Sequence, residues 1–419
     1  MGADSDLRPL SRGSVRRATV ILIALRVGYA YNWFSIGPAL LPIGAEFSVG
    51  PAEFGLLIAV FLVGAGLLQV PAGFLARRYG ARAISLAGVA TLAVSTLASA
   101  FAPSFALLLA TRLVGGVGAA LFFSPAIGLV ASLYPPGRRG LPVGTFSSMY
   151  SLGAGFGVLG SSLLIPVYGW REAVAFGGVL LGVLTLLALP LIPRAAGAPR
   201  PRGPRVLRGG IPAALRFRGA WAVGVAFAGL EGAMFATGQF VVPYGQVVEG
   251  WSLGLAGLVG MSFVLPSLFG GPVGGPLAER FSNHRTQFVL ATGTGAVAIA
   301  LLPVVGLAGV VVIGVVFSFM YGVVYAVMYV LPHFWSKVPA EEIPLAIGLF
   351  NSIQLAGGAS VSFVFGWIVS VRSYPFAWEI LAAIVVLSLG ALVALPTTSA
   401  RALGPPVAGS ASRPAGPGP

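Results

Sequence analysis

The chain has 419 residues, of which 57% are hydrophobic and 9% charged, with 25 basic and 11 acidic side chains and a net charge of +14. Soluble domains carry about 25% charged residues. The low charge and a mean hydropathy of +0.94 exclude an ordinary cytosolic enzyme, a disordered chain and a nucleic-acid binder whose positive charge is its working surface.

What remains is a polytopic membrane protein. A spanning helix needs roughly 20 mostly apolar residues. In chain order there are twelve such stretches, at about 18–44, 53–75, 82–102, 105–132, 140–165, 170–192, 219–247, 252–275, 286–306, 308–332, 343–370 and 375–396. They are continuously apolar rather than alternating, which predicts helices and not barrel strands. Residues 193–218 break the series with several Pro and seven Arg, among them Arg200, Arg205 and Arg208, and divide the spans six and six. The predicted organisation is an N-terminal segment 1–17, a six-helix bundle 18–192, a basic linker 193–218, a second bundle 219–396 and a Pro-, Gly- and Ser-rich tail 397–419 expected to be disordered. No cleavable signal is expected, because the basic start (Arg8, Arg12, Arg16, Arg17) runs into an apolar stretch too long for one.

Basic residues set orientation in a bilayer. With the N-terminus inside, 21 fall in the N-terminus, inner loops, linker and tail, against two (Arg171, Arg372) in outer loops. That predicts a multi-pass protein of the plasma membrane with both termini cytoplasmic. No Cys is present, and the two His (His284, His333) lie far apart, so neither a metal site nor a cofactor is expected. His284 is predicted to be a solvated loop residue and His333 a span-end residue.

The two halves partly repeat each other at a shift of about 202 positions. GFLARRYG (Gly73–Gly80) meets GPLAERFS (Gly275–Ser282), GTFSSMYSLGAG (Gly144–Gly155) meets GLFNSIQLAGGA (Gly348–Ala359), and Glu46 meets Glu249. YGWREAVAF (Tyr168–Phe176) likewise meets PFAWEILAA (Pro375–Ala383). Two such halves about a two-fold axis imply a cavity between them near the midplane. The predicted fold is an all-α polytopic membrane protein of twelve transmembrane helices in two pseudo-symmetric six-helix bundles.

These features, with Arg112–Gly116 of span 4 and LYPPGRRG (Leu133–Gly140), resemble the major facilitator superfamily over about residues 18–396. The resemblance implies alternating-access transport of a small solute. It also implies a gate at the loops after spans 2 and 8, which assigns Arg77, Glu279 and Arg280 to gating or coupling. Arg77 stands where that family usually has an acid, whereas the second copy keeps Glu279. Span 5 lacks the Gly-Pro pair of the family's drug–proton antiporters; its Gly153, Gly155, Gly157 and Gly160 read first as sites of close helix contact. Leu25-Arg26, GPALLP (Gly37–Pro42) and LARRYG (Leu75–Gly80) resemble cyanate- and nitroimidazole-type permeases within that family.

Three ionisable residues fall inside spans: Arg26, Arg112 and Glu231. A charge at the bilayer centre costs several kcal/mol, so each is a functional hypothesis by default. At 1.5 Å per residue Arg26 lies roughly 13 Å from the inner face, Arg112 about 12 Å from the outer face and Glu231 about 17 Å from the inner face, all near the midplane of a core about 30 Å thick. Tyr29 and Trp33 follow Arg26 at i+3 and i+7, on one stripe, with Asn32 at its edge. Arg26, Tyr29, Asn32, Trp33, Arg112, Tyr150, Tyr325, Asn351 and Gln354 are the candidate solute-binding residues, and Glu231 the candidate proton carrier or gating partner. Arginine suits a carboxylate or oxyanion because its donors form a bidentate fork. The competing readings are a permanent Arg26–Glu231 bridge, and for Arg112 a brace on span 4. The predicted activity is secondary transport of a small anion, with protons as a candidate coupling ion, by a monomer that binds no nucleic acid. The alternative is efflux of amphipathic drugs. No phosphate-binding or hydrolase motif points to an enzyme.

Overall fold

The computed structural model describes residues 11–135, 138–193, 218–280, 283–331 and 343–394. The linker, His333, Lys337 and the tail lie outside these. The described chain forms helices that account for twelve spans. They are α1 (Arg12–Phe47), α2 (Pro51–Leu67 continued by Gln69–Tyr79), α3 (Ala81–Ala100), α4 (Phe105–Ser132), α5 (Gly140–Tyr168) and α6 (Trp170–Leu191), then α7 (Arg218–Val247), α8 (Leu253–Ala278), α9 (His284–Val304), α10 (Leu307–Tyr329), α11 (Ala346–Val371) and α12 (Tyr374–Val393). All twelve predicted spans are present.

Their ends differ from the expectation for local reasons. α1 starts earlier than predicted because Ser11 caps it, its hydroxyl accepting from the Ser14 amide at 3.2 Å. α2 bends by 44° at Leu68. Pro71 lacks an N–H and its ring opposes the carbonyl four residues back, that of Leu67. α8 breaks after Ser262, which is four residues before Pro266. Gly80 (φ 94°) turns the chain between α2 and α3, and Gly169 (φ 96°) between α5 and α6, both in a region that side chains disfavour.

The internal repeat is visible in the packing. In the first half a Cβ at Gly64 would strike the carbonyl of Leu113, and one at Gly116 that of Phe61, where α2 crosses α4. In the second half Gly270 meets the Phe319 carbonyl and Gly322 that of Ser267, where α8 crosses α10. All four positions recur at the same offset of 206 (64 and 270, 116 and 322, 61 and 267, 113 and 319). Small residues let backbones approach, so dispersion contacts replace the hydrophobic drive that lipid does not supply. The glycines of α5 pack as expected: Gly153 against Val27 and Gly157 against Tyr31 of α1, Gly155 against Met261 and Leu265.

Between the halves, α2 lies along α11 and α5 along α8. Most inner-loop arginines, including Arg16, Arg78, Arg138 and Arg285, share one membrane face, called here the basic face. Toward the opposite face the halves close tightly: Gly55 on Ser362 and Phe363, Gly366 on Pro51, Gly37 on Gln239, and Gly257 on Ser162. His284 is not solvated as predicted. It is 3% exposed, and its Nε2 hydrogen-bonds the Ala278 carbonyl at 2.8 Å.

Candidate functional site

Arg26 sits in mid-α1 and is 4% exposed. Its guanidinium carbon lies 4.9 Å from the Tyr29 ring centre, 4.6 Å from Phe123, 5.5 Å from Phe146 and 4.7 Å from Tyr150. The four rings come from α1, α4 and α5 and form a cage. Such contacts are worth about 0.5–2 kcal/mol each, less than full solvation of the cation. Its Nε and Nη1 have no hydrogen-bond partner among the described residues. The cage therefore holds the charge while two of its three nitrogens, both buried, lack a hydrogen-bond partner among the described residues.

The facing half is built differently. Glu231 of α7 is 5% exposed and accepts a hydrogen bond from the Tyr321 hydroxyl of α10 at 2.6 Å. Beside it runs a polar chain. The Tyr325 hydroxyl donates to that of Tyr329 (3.2 Å), Tyr329 donates to Asn351 Oδ1 (2.9 Å), and Gln354 Nε2 donates to the same oxygen (2.6 Å). No Arg26–Glu231 ion pair exists among the described residues; the one ion pair there joins Arg171 and Glu46. The permanent bridge considered from the sequence is thus absent in this conformation.

An aromatic plug lies between Arg26 and the face opposite the basic one. Trp33 stacks on Phe235 of α7 at 5.7 Å and Phe34 on the same ring at 5.6 Å, with Phe61 and Tyr150 edge-on to Trp33. Together with the glycine contacts described above, it seals the path toward the face opposite the basic one.

The structure brings Arg26, Tyr29, Trp33 and Tyr150 together on one side, and Glu231, Tyr325, Asn351 and Gln354 on the other. Asn32 points elsewhere: its amide donates to the Gly28 carbonyl (2.8 Å) and to that of Gly177 in α6 (3.0 Å). Arg112 donates from Nη1 to the Asn32 carbonyl at 3.3 Å and lies 4.1 Å over the Phe61 ring. That ties α4 to α1 and α2, although its Nε and Nη2 have no partner among the described residues. Arg77 and Arg280 are exposed at the basic-face ends of α2 and α8, well away from the cage; the Glu279 side chain lies outside the described residues.

Sequence reasoning missed Phe123, Phe146 and Phe235. Phe146 precedes Tyr150 by four residues and Phe235 follows Glu231 by four, so helical spacing from the polar residues could have found both. It also missed a clamp at the face opposite the basic one. Glu46 accepts from Trp170 Nε1 (2.7 Å) and pairs with Arg171, whose Nη1 and Nη2 reach the carbonyls of Ala100 (2.6 Å) and Ala102 (2.9 Å). The signal lay in the repeat, where Glu46 and YGWREAVAF both appeared.

The family model described as Major Facilitator Superfamily matches residues 22–335 and 250–417. The chain belongs to that superfamily. Its members are membrane transporters and not enzymes. Protein spinster homolog 1 of Mus musculus is 31% identical over 44% of this chain and 35% of its own length. The probable nitrate/nitrite transporter NarK2 of Mycobacterium tuberculosis is 27% identical over 64% of this chain and 68% of its own. The 4-hydroxybenzoate transporter PcaK of Pseudomonas aeruginosa is 30% identical over 38% and 35%. The chain thus spans about a third of two of these curated relatives and about two thirds of the other. A crystal structure of a bacterial homolog of the human lysosomal transporter spinster, inward-facing and occupied, superposes with a TM-score of 0.78 at 16% identity over 93% of this chain and 98% of that one. That likeness concerns the fold.

Proposed function

We propose that the protein is a secondary transporter of a small anion that works by alternating access, with Arg26 as the anion-binding centre. The single observation behind this reading is a buried guanidinium held by four rings, with two donors open and no acid paired to it. An anion entering the site supplies the missing counter-charge, and a planar oxyanion such as a carboxylate or nitrate matches the donor fork. The names of two relatives, a probable nitrate/nitrite transporter and a 4-hydroxybenzoate transporter, fall in that chemical class. The Tyr329–Asn351–Gln354 chain offers hydrogen bonds to the solute's far end. Glu231 acts as proton carrier, passing between its bond to Tyr321 and a protonated state as solute comes and goes.

The aromatic plug favours a second reading, efflux of amphipathic compounds. A thermal-shift screen of purified protein against nitrate, mono- and dicarboxylates, cyanate and cationic dyes separates the two. Stabilisation by anions that Arg26→Gln abolishes supports the first reading, and stabilisation by dyes alone overturns it.

The protein works as a monomer in the cell membrane, with the basic face cytoplasmic and the 193–218 linker joining two bundles on that side. A cysteine replacing Arg205 should resist an impermeant thiol label in intact cells and react after permeabilisation; labelling from outside overturns this topology.

A further inference from the structure

We propose that a groove at the basic face of the first half is a binding site for an anionic phospholipid, outside the solute path. The groove encloses about 850 Å³ between the start of α1, the end of α4 and the start of α5. Arg12, Arg16 and Arg138 line it, and no acidic residue among the described ones does. None of the three is ion-paired among the described residues. α5 begins at this groove with no side-chain cap, so the positive end of a 29-residue helix dipole adds to the field.

The rest of the lining is what a lipid requires and a free anion does not. Val20 and Leu141 border the groove at 59% and 83% exposure, and with Val15, Leu133, Pro135 and Pro142 they supply its apolar wall. On α1 the sequence changes from arginine-rich to continuously apolar after Arg17, which sets the groove at the boundary between headgroups and acyl chains. A phosphodiester placed among the three guanidiniums would leave its chains to run down over Val20 and Leu141. At the floor, Thr19 and Tyr134 hydrogen-bond each other at 2.8 Å, and their hydroxyls can also meet a glycerol headgroup.

The position has a functional corollary. α1 carries Arg26 two turns beyond Thr19, and α5 carries Tyr150 about two turns beyond Pro142. A lipid that bridges the starts of α1 and α5 therefore grips two of the three helices that build the cage, and its occupancy should be read at the solute site.

The test uses the full chain, delipidated in neutral detergent and titrated with phosphatidylglycerol, phosphatidylcholine or inorganic phosphate, with bound lipid counted by native mass spectrometry. Phosphatidylglycerol should be retained at least fivefold over phosphatidylcholine, with no competition from phosphate at equal concentration. The triple variant Arg12→Gln/Arg16→Gln/Arg138→Gln should bring that preference within twofold, while Arg78→Gln/Arg285→Gln at the same membrane face should leave it intact. Equal retention of the two lipids, effective competition by phosphate, or an unchanged preference in the triple variant overturns the site. Retention that emerges only after removal of residues 1–10 also overturns it, by assigning the groove to the chain's own terminus with Asp4 and Asp6. Should the triple variant not fold, a photoactivatable phosphatidylglycerol on the wild type decides. Crosslinks within 12–20 and 133–142 support the lipid site, and crosslinks confined to other segments overturn it.

Discussion

The two halves share a scaffold and differ in charge. Their glycine crossings, Gly64 and Gly116 in one and Gly270 and Gly322 in the other, fall at one offset and serve the same purpose. What they carry into the interface is opposite. The first half presents a cation caged by π faces with two buried nitrogens unpartnered among the described residues; the second presents an acid already bonded to Tyr321, beside a chain of hydroxyl and amide groups. Backbone packing in lipid leaves few solutions, so the repeat persists there. Side chains facing the interface are free of that constraint, and the asymmetry of charge lies there.

The sharpest way to break this comparison is to remove the cation. Arg26→Gln should weaken anion binding at least 100-fold, or about 3 kcal/mol for lost charge-assisted hydrogen bonds, read by calorimetric titration. A loss under threefold would show that the first half does not hold the solute's charge. The shared scaffold is tested next. Gly116→Leu and Gly322→Leu should each destabilise the protein by about 1–3 kcal/mol through overpacking, seen as lowered melting temperatures of similar size. A neutral result at one position alone would break the equivalence of the halves.

Glu231→Gln probes the acid. Uphill, proton-driven accumulation in proteoliposomes should fall about tenfold, the scale expected for losing a positioned proton-transfer group. Solute exchange without a gradient should persist and lose its dependence on pH. Accumulation that stays pH-driven would remove Glu231 from coupling. The smallest effect belongs to Asn32→Ala, which deletes one hydrogen bond to Gly177 of α6 and one to Gly28 of its own helix and should cost about 1–2 kcal/mol of stability. Anion affinity should stay within twofold, which separates a brace from a solute contact.

Much of this was legible in the sequence. Uninterrupted apolar runs gave away twelve spans, since lipid tolerates little else. Arg26 and Glu231 stood out because a charge in such a run has to be explained. The span ends were less legible, because Pro71 and Pro266 break helices that hydropathy reads as continuous. Asn32 was placed at the edge of the Arg26 stripe, but six residues at about 100° each turn it roughly 120° away, into α6. The cage was invisible for another reason. Phe123 is an ordinary residue in an apolar helix, and only the fold shows that it joins Phe146 around a cation.

The plug of Trp33, Phe34 and Phe235, with the glycine contacts beside it, seals one face of the protein without an ion pair across it among the described residues. Opening that face would wet apolar rings and small-residue backbone while stripping no charge of its partner. The equilibrium between closed and open states should then carry a sizeable heat-capacity change and curve with temperature, while responding little to ionic strength. For this protein temperature, more than salt, sets how often the far side of the membrane is reached.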